Sequence, residues 1–183
     1  KVVTPGTARD AKGLIKSAIR DNDPVIFFEH KALYRRLKEE IPEGDYTVPI
    51  GKARVFREGK NLSIITYGAM LYVAQEAAET LDKEGVSTEI IDMRTLLPID
   101  EETVLASVKK TSRALLLHEA TLTGGFGAEI AARIAEKAFE YLDAPVARVA
   151  APDTPVPFST PLEQAFLPNA AKVLEKARWL CGY

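Results

Sequence analysis

The stretch Leu62–Met93, LSIITYGAMLYVAQEAAETLDKEGVSTEIIDM, decides the fold. It opens on an apolar run ending in Gly68, continues through residues whose apolar members recur at helical spacing, and closes on a second apolar run, TEIIDM. Leu71, Ala74, Ala78 and Leu81 fall on one helical face, and Gly85 is placed where a helix stops. Two strands joined by a helix pair in parallel, because a hairpin connection is excluded by the crossover between them. The stretch therefore predicts strand, helix, strand.

The same rhythm runs downstream. PIDEETVLASVKKT reads as a helix entered through Pro98 and Asp100, with Val104, Leu105 and Val108 on one face. RALLLHE is a third strand, and the helix after the TGGFG turn carries Ile130, Ile134, Ala138 and Tyr141 on one side. PVARVA is a fourth strand, and the Pro-rich loop APDTPVPFSTP leads to a last helix from about Asn169 to Leu180. Apolar strands alternating with helices imply an α/β fold, a mostly parallel sheet with helices on both faces.

Upstream, Val2 and Val3 already read as strand, and Thr7–Asp23 reads as a helix with Ala11, Leu14, Ile15, Ala18 and Ile19 on its apolar face. Thr7 with Asp10 forms a T-x-x-D capping signal, Pro24 closes the segment, and PVIFFE follows as a short buried strand. Residues 31–60 form a connector of mixed charge in which GKARVFREG is an edge strand of the next unit. Three regions result: 1–30, the end of one α/β domain; 31–60, the connector; and 61–183, a second domain. The chain opens on Lys1 and enters a strand at once, so it is expected to begin inside a larger protein.

Composition narrows the function. The chain has 183 residues with 24 Lys and Arg against 26 Asp and Glu, without the basic stripe that neutralises phosphates, which argues against nucleic acid. No segment reaches the 18 or so uncharged apolar residues of a membrane helix. A single cysteine, Cys181, excludes an internal disulfide and any C-x-x-C metal site, and fits a reducing compartment.

The segment LLLHEATLTGGFGAEI, Leu115–Ile130, joins a histidine, a carboxylate and a Gly-rich helix start at the carboxyl end of a strand, where open parallel sheets bind ligands. Its turn has neither the G-x-G-x-x-G spacing nor the Lys of a P-loop. His118 and Glu119 are adjacent on a strand and point to opposite faces, so a structural histidine is favoured over a general base. His30 follows Glu29 at another strand end, and nothing in sequence pairs it with a nucleophile. In SAIRDNDP, Ser17–Pro24, a helix ends beside two aspartates, an arrangement of oxygens suited to a hard cation.

Several blocks taken together resemble one family. DAKGLIKSAIRDNDPVIFFEHKALYR, DYTVPIGKARVFREG, TEIIDMRTLLPID, KTSRALLLHEATLTGGFGAEIAARI and LDAPVARVAAPDTPVPFS are similar, in this order, to β subunits of thiamine diphosphate-dependent 2-oxo acid dehydrogenases. The resemblance covers the latter half of such a subunit. It implies that residues 1–30 end a pyrimidine-binding domain and that 61–183 form a transketolase-like C-terminal domain. HEATLTGGFGAEI with PDTPVPF leans toward the branched-chain, 3-methyl-2-oxobutanoate type over the pyruvate type.

The resemblance implies an α2β2 enzyme in which the α subunit brings the diphosphate and Mg2+ site and the β subunit brings a glutamate and a histidine upstream of Lys1. Neither His30 nor His118 stands in the catalytic histidine's motif, and GDY at Gly44 does not match the Gly-Asp-Gly diphosphate motif. No catalytic and no cofactor-binding residue is therefore expected here, and these residues alone should be inactive. The family also implies a structural K+ site at the helix end, with Ala18, Ile19, Asp21 and Asp23 as ligands, mainly through carbonyl oxygens. It implies docking on the subunit-binding domain of the lipoyl acyltransferase, with Asp143 and the carboxylate of Tyr183 as contacts, beside assembly with the α subunit and a second β subunit. The expected location is the cytoplasm, or the mitochondrial matrix in a eukaryote. The rivals are the C-terminal domain of a transketolase or a deoxyxylulose phosphate synthase, and a stand-alone α/β binding module.

Overall fold

Leu62–Thr66 is a strand buried along its whole length, and Thr88–Asp92 lies beside it in parallel, equally buried, with the helix Met70–Lys83 between them in sequence. The computed structural model describes the whole chain, Lys1–Tyr183. Its strands are β1 (Val2–Val3), β2 (Ile26–Phe27), β3 (Arg54–Arg57), β4 (Leu62–Thr66), β5 (Thr88–Asp92), β6 (Thr95–Leu97), β7 (Ala114–Thr121) and β8 (Ala147–Ala151). Its helices are α1 (Ala8–Arg20), α2 (Met70–Lys83), α3 (Glu101–Thr111), α4 (Phe126–Ala138), α5 (Thr160–Phe166) and α6 (Ala170–Cys181).

Five strands form the main sheet in the order β3-β5-β4-β7-β8, all parallel except β3, which pairs antiparallel with β5 at the edge. Alternation along the strands splits the core in two. Leu62, Ile64, Ile90, Leu115 and Leu117 face α2 and α6, where Leu71, Ala78, Leu81, Val173 and Leu180 meet them. Ile65, Ile91 and Leu116 face α3 and α4, packing with Val104, Val108, Ile130 and Ile134. Ser63 shares its buried hydroxyl with Ser107 at 2.6 Å and Thr111 at 2.7 Å, so the polar position on β4 is satisfied by α3. Asp100 caps α3 and ties it to the connector, accepting from Thr103 N at 3.3 Å and Ala53 N at 2.9 Å.

β1 and β2, from the first thirty residues, form a smaller sheet with β6, in the order β2-β1-β6, where β1 pairs antiparallel with β6. The Thr7 side chain caps α1 by accepting from Asp10 N at 3.2 Å. The buried side of α1 runs through Asp10, Gly13 and Leu14, and a small core of Val3, Leu14 and Val48 lies beneath it. The apolar face expected from spacing is therefore only partly buried: Ile15 and Ile19 are exposed, because Val48 closes on Gly13 and Leu14 and nothing covers the next stripe. PVIFFE likewise contributes an outer strand of two residues with Ile26 and Phe28 exposed, where a buried strand was expected. Tyr141, expected on the inner side of α4, lies in a single 3₁₀ turn after it and is 40% exposed, since the helix stops at Ala138. Two elements were not anticipated: β6, only three residues long before Pro98, and α5, within the Pro-rich segment.

Candidate functional site

The carboxyl end of β7 carries His118 and Glu119, and the strand sends them to opposite faces. His118 is buried, its Nδ1 is 3.1 Å from Ala120 O, and the Tyr67 ring stacks on it at 6.2 Å. Phe126 meets Tyr67 edge-on at 6.4 Å. The glycines of TGGFG make room for the imidazole: a Cβ on Gly125 would lie 2.7 Å from His118 Cε1, and one on Gly127 2.4 Å from both Cδ2 and Nε2. Burial pushes His118 below the ordinary histidine value, which favours the neutral ring. The turn itself is pinned by Asp153, which accepts from Thr123 N at 2.8 Å and from Thr123 Oγ1 at 2.6 Å. His118 is a packing group and the glycines are its seat.

Glu119 goes the other way and meets His30, with Oε2 2.8 Å from His30 Nε2. The two are 89 residues apart in sequence, and each is about one third exposed. His30 borders two cavities. One, of about 850 Å³, is also lined by Glu119, Leu33, Met70, Val73 and Phe166; the other, of about 210 Å³, by Gly6, Thr7, Ala8, Glu29 and Tyr34. A carboxylate on one ring nitrogen fixes the orientation of an imidazole and leaves the other nitrogen to face its surroundings. Sequence reading weighed each histidine separately and missed this pair. The available signal was the alternation on β7, which sends Glu119 toward the face that the loop after β2 approaches.

The expected cation ligands lie at the end of α1. Asp21 and Asp23 come together, but on an ammonium: Lys1 Nζ is 2.7 Å from Asp21 Oδ2 and 3.1 Å from Asp23 Oδ2. Asp21 Oδ1 also accepts from Asp23 N at 2.9 Å, Asp21 N donates to Ala18 O at 3.4 Å, and the Ile19 side chain points to solvent. The Lys1 hydrogen bond holds Asp21 below the usual carboxylate range. Asp143 and Tyr183, 40 positions apart, line one surface groove of about 690 Å³ with Phe139, Pro145 and Arg148. Arg113 Nη1 is the nearest cation to Asp143, at 3.7 Å, and Tyr183 packs edge-on against Trp179 at 5.1 Å.

Comparison with known proteins matches residues 51–173 to the transketolase C-terminal domain. The chain belongs to the transketolase C-terminal domain family. The fold class expected from the sequence is thereby borne out, as is the resemblance to 2-oxo acid dehydrogenase β subunits. The chain is similar to the pyruvate dehydrogenase E1 component subunit beta of Bacillus subtilis strain 168, 54% identical over 178 residues, 97% of this chain and 54% of the relative. The subunits of the same name from Staphylococcus aureus strain Mu50 and Staphylococcus epidermidis are 52% and 50% identical over the same shares. The chain thus spans about half the length of the curated relatives it matches. Among solved structures, a split-gene transketolase described as an inactive β4 tetramer superposes with a TM-score of 0.81 at 27% identity, over 99% of this chain and 57% of that one. A Pichia stipitis transketolase mutant shares the fold alone, with a TM-score of 0.65 at 11% identity, over 99% of this chain and 25% of its own.

Within this transketolase C-terminal domain and the residues before it, no group of three or more His, Cys, Asp or Glu side chains converges as a metal centre would require. The only Gly-Asp pair, Gly44–Asp45, has its carboxylate engaged by Lys16 at 2.8 Å and Arg20 at 2.8 Å. No helix is long and apolar enough to cross a membrane.

Proposed function

We propose that these residues are the C-terminal portion of the β subunit of a thiamine diphosphate-dependent 2-oxo acid dehydrogenase. The parent would be an α2β2 enzyme that decarboxylates a 2-oxo acid and passes the acyl group to the lipoyl arm of an acyltransferase. The observation that carries this is the 54% identity, over 97% of the chain, to a pyruvate dehydrogenase E1 β subunit. The names of the relatives favour pyruvate as the substrate. A branched-chain 2-oxo acid is the second reading, supported by the wording of HEATLTGGFGAEI and PDTPVPF. The bacterial relatives favour the cytoplasm.

In this portion the role is assembly with the α subunit and a second β subunit, and docking of the acyltransferase. Thiamine diphosphate supplies the decarboxylation chemistry in such enzymes. The residues present do not fit the diphosphate and its Mg2+, because Asp45 is already neutralised by Lys16 and Arg20 and no acidic cluster forms. For K+, the last carbonyls of α1, those of Ala18 and Ile19, would be the main ligands, with Asp21 and Asp23 sharing their charge between the cation and Lys1.

Docking is supported by Asp143 and Tyr183 lying in one groove, where an exposed carboxylate beside apolar surface suits a basic partner. The test is the full-length β subunit co-expressed with its α subunit. Native mass should give an α2β2 assembly, and Asp143→Lys should weaken binding of the subunit-binding domain about tenfold or more, which corresponds to ~1.4 kcal/mol. A β subunit that recruits no α subunit would contradict the assembly role, and unchanged affinity in Asp143→Lys would remove the docking contact.

A further inference from the structure

Asp10 and Asp92 are 2% and 0% exposed and belong to none of the sites above. Both send an oxygen to one guanidinium nitrogen: Arg54 Nη2 lies 3.0 Å from Asp10 Oδ2 and 3.1 Å from Asp92 Oδ2. Arg94, in the turn after β5, closes the cluster. Its Nη1 is 3.1 Å from Asp10 Oδ1, its backbone N–H donates to Asp92 Oδ1 at 3.3 Å, and its remaining guanidinium nitrogens donate to Lys52 O and Ala53 O. Thr7 Oγ1 donates to Asp10 Oδ2 at 2.8 Å. Tyr72 of α2 also stands nearby; its hydroxyl donates to Gly6 O, and burial, with the charge of Glu39 adding to it, pushes it up to about 12, so it stays neutral. The cluster therefore joins α1, β3, β5 and the turn at Arg94, whose own carbonyl accepts from Thr4 N at 2.8 Å.

The two acids are not equivalent. Asp10 has a hydroxyl and two guanidinium groups; Asp92 has a share of Arg54 and one long amide bond. Burial lifts Asp92 to about 6, with Arg54 opposing the rise and Asp10 adding to it. We propose that Asp10 and Asp92, converging on Arg54, form a proton-linked clasp that holds α1 and the β1 segment on the parallel-sheet domain more firmly in mild acid than at neutral pH. With a proton on Asp92, Asp10 keeps both arginines; without it, two buried carboxylates share one guanidinium nitrogen. The folded value lies above the unfolded one of 3.8, so the contribution of Asp92 is fully present at low pH and is lost as pH rises toward about 6.

The test uses the full-length subunit, melted from pH 5 to 8 as wild type and as Asp92→Asn, which keeps the shape and removes the charge. The expected result is a Tm difference, variant minus wild type, that rises by about 2 °C between pH 5 and 7.5, most of it below pH 6.5, and then levels off. A difference that stays constant over that range would overturn the proposal and leave a plain buried ion pair. Infrared titration of the wild type, which needs no variant to fold, gives the second reading. A protonated carboxyl band present at pH 5 and lost by pH 7.5 supports the clasp, and its absence at pH 5 refutes it.

Discussion

At the residue scale, the packing of His118 on the glycine turn is the sharpest constraint. Gly127→Ala would drive a methyl group to 2.4 Å from the imidazole and 3.4 Å from Leu116 Cβ, with the ring itself buried. A loss of about 1–3 kcal/mol is expected in chemical denaturation of the subunit, and combining it with His118→Ala should recover part of that loss. Equal losses in the single and double variants would show that the ring is not the obstacle. His118 also sets a pH dependence. Its folded value lies below the unfolded one, so folding favours the neutral ring and stability should decline as pH falls below about 6.5. His118→Gln should remove that part of the decline, and an unaltered acid limb would contradict it. The sequence marks the glycines as a helix start whose spacing does not match a nucleotide cradle. What it could not announce is that the ring of a residue seven positions earlier fills the space where a ligand would have to sit.

At the scale of elements, legibility followed periodicity. α2 was readable because Leu71, Ala74, Ala78 and Leu81 recur at helical spacing within a fourteen-residue helix and all four are buried. Leu71→Ala should cost about 2–5 kcal/mol in denaturant unfolding, with a value below about 1 contradicting a close-packed face. α1 was read correctly as a helix and only partly in its burial. Its true inner stripe includes Asp10 and Gly13, residues that a hydrophobicity pattern scores as outward. Gly13 is required because Val48 comes within 2.5 Å of where its Cβ would be, a long-range contact invisible to local spacing. β6 and α5 were missed for a related reason: three and seven residues are too few to show a period, and prolines stand beside both. The His30–Glu119 pair was missed because it is made by two elements 89 residues apart, although each partner was visible as a polar residue at a strand end.

At the scale of the molecule, two kinds of inference met. Alternating strands and helices gave the parallel sheet from physical chemistry alone, while family wording pointed to the parent enzyme, and the transketolase C-terminal domain match agrees with both. The end of α1 is tied to the residue that precedes β1, since Lys1 pairs with both Asp21 and Asp23. Replacing K+ by Na+ should lower the Tm of the full-length subunit by several degrees, and an unchanged Tm would mean that Lys1 alone satisfies Asp21 and Asp23. The most direct test of the proposed function is kinetic. In the α2β2 assembly reconstituted with thiamine diphosphate and Mg2+, kcat/KM for decarboxylation should favour pyruvate over 3-methyl-2-oxobutanoate. A reversed preference would return the chain to the branched-chain reading, and no turnover of either 2-oxo acid would contradict the dehydrogenase assignment itself.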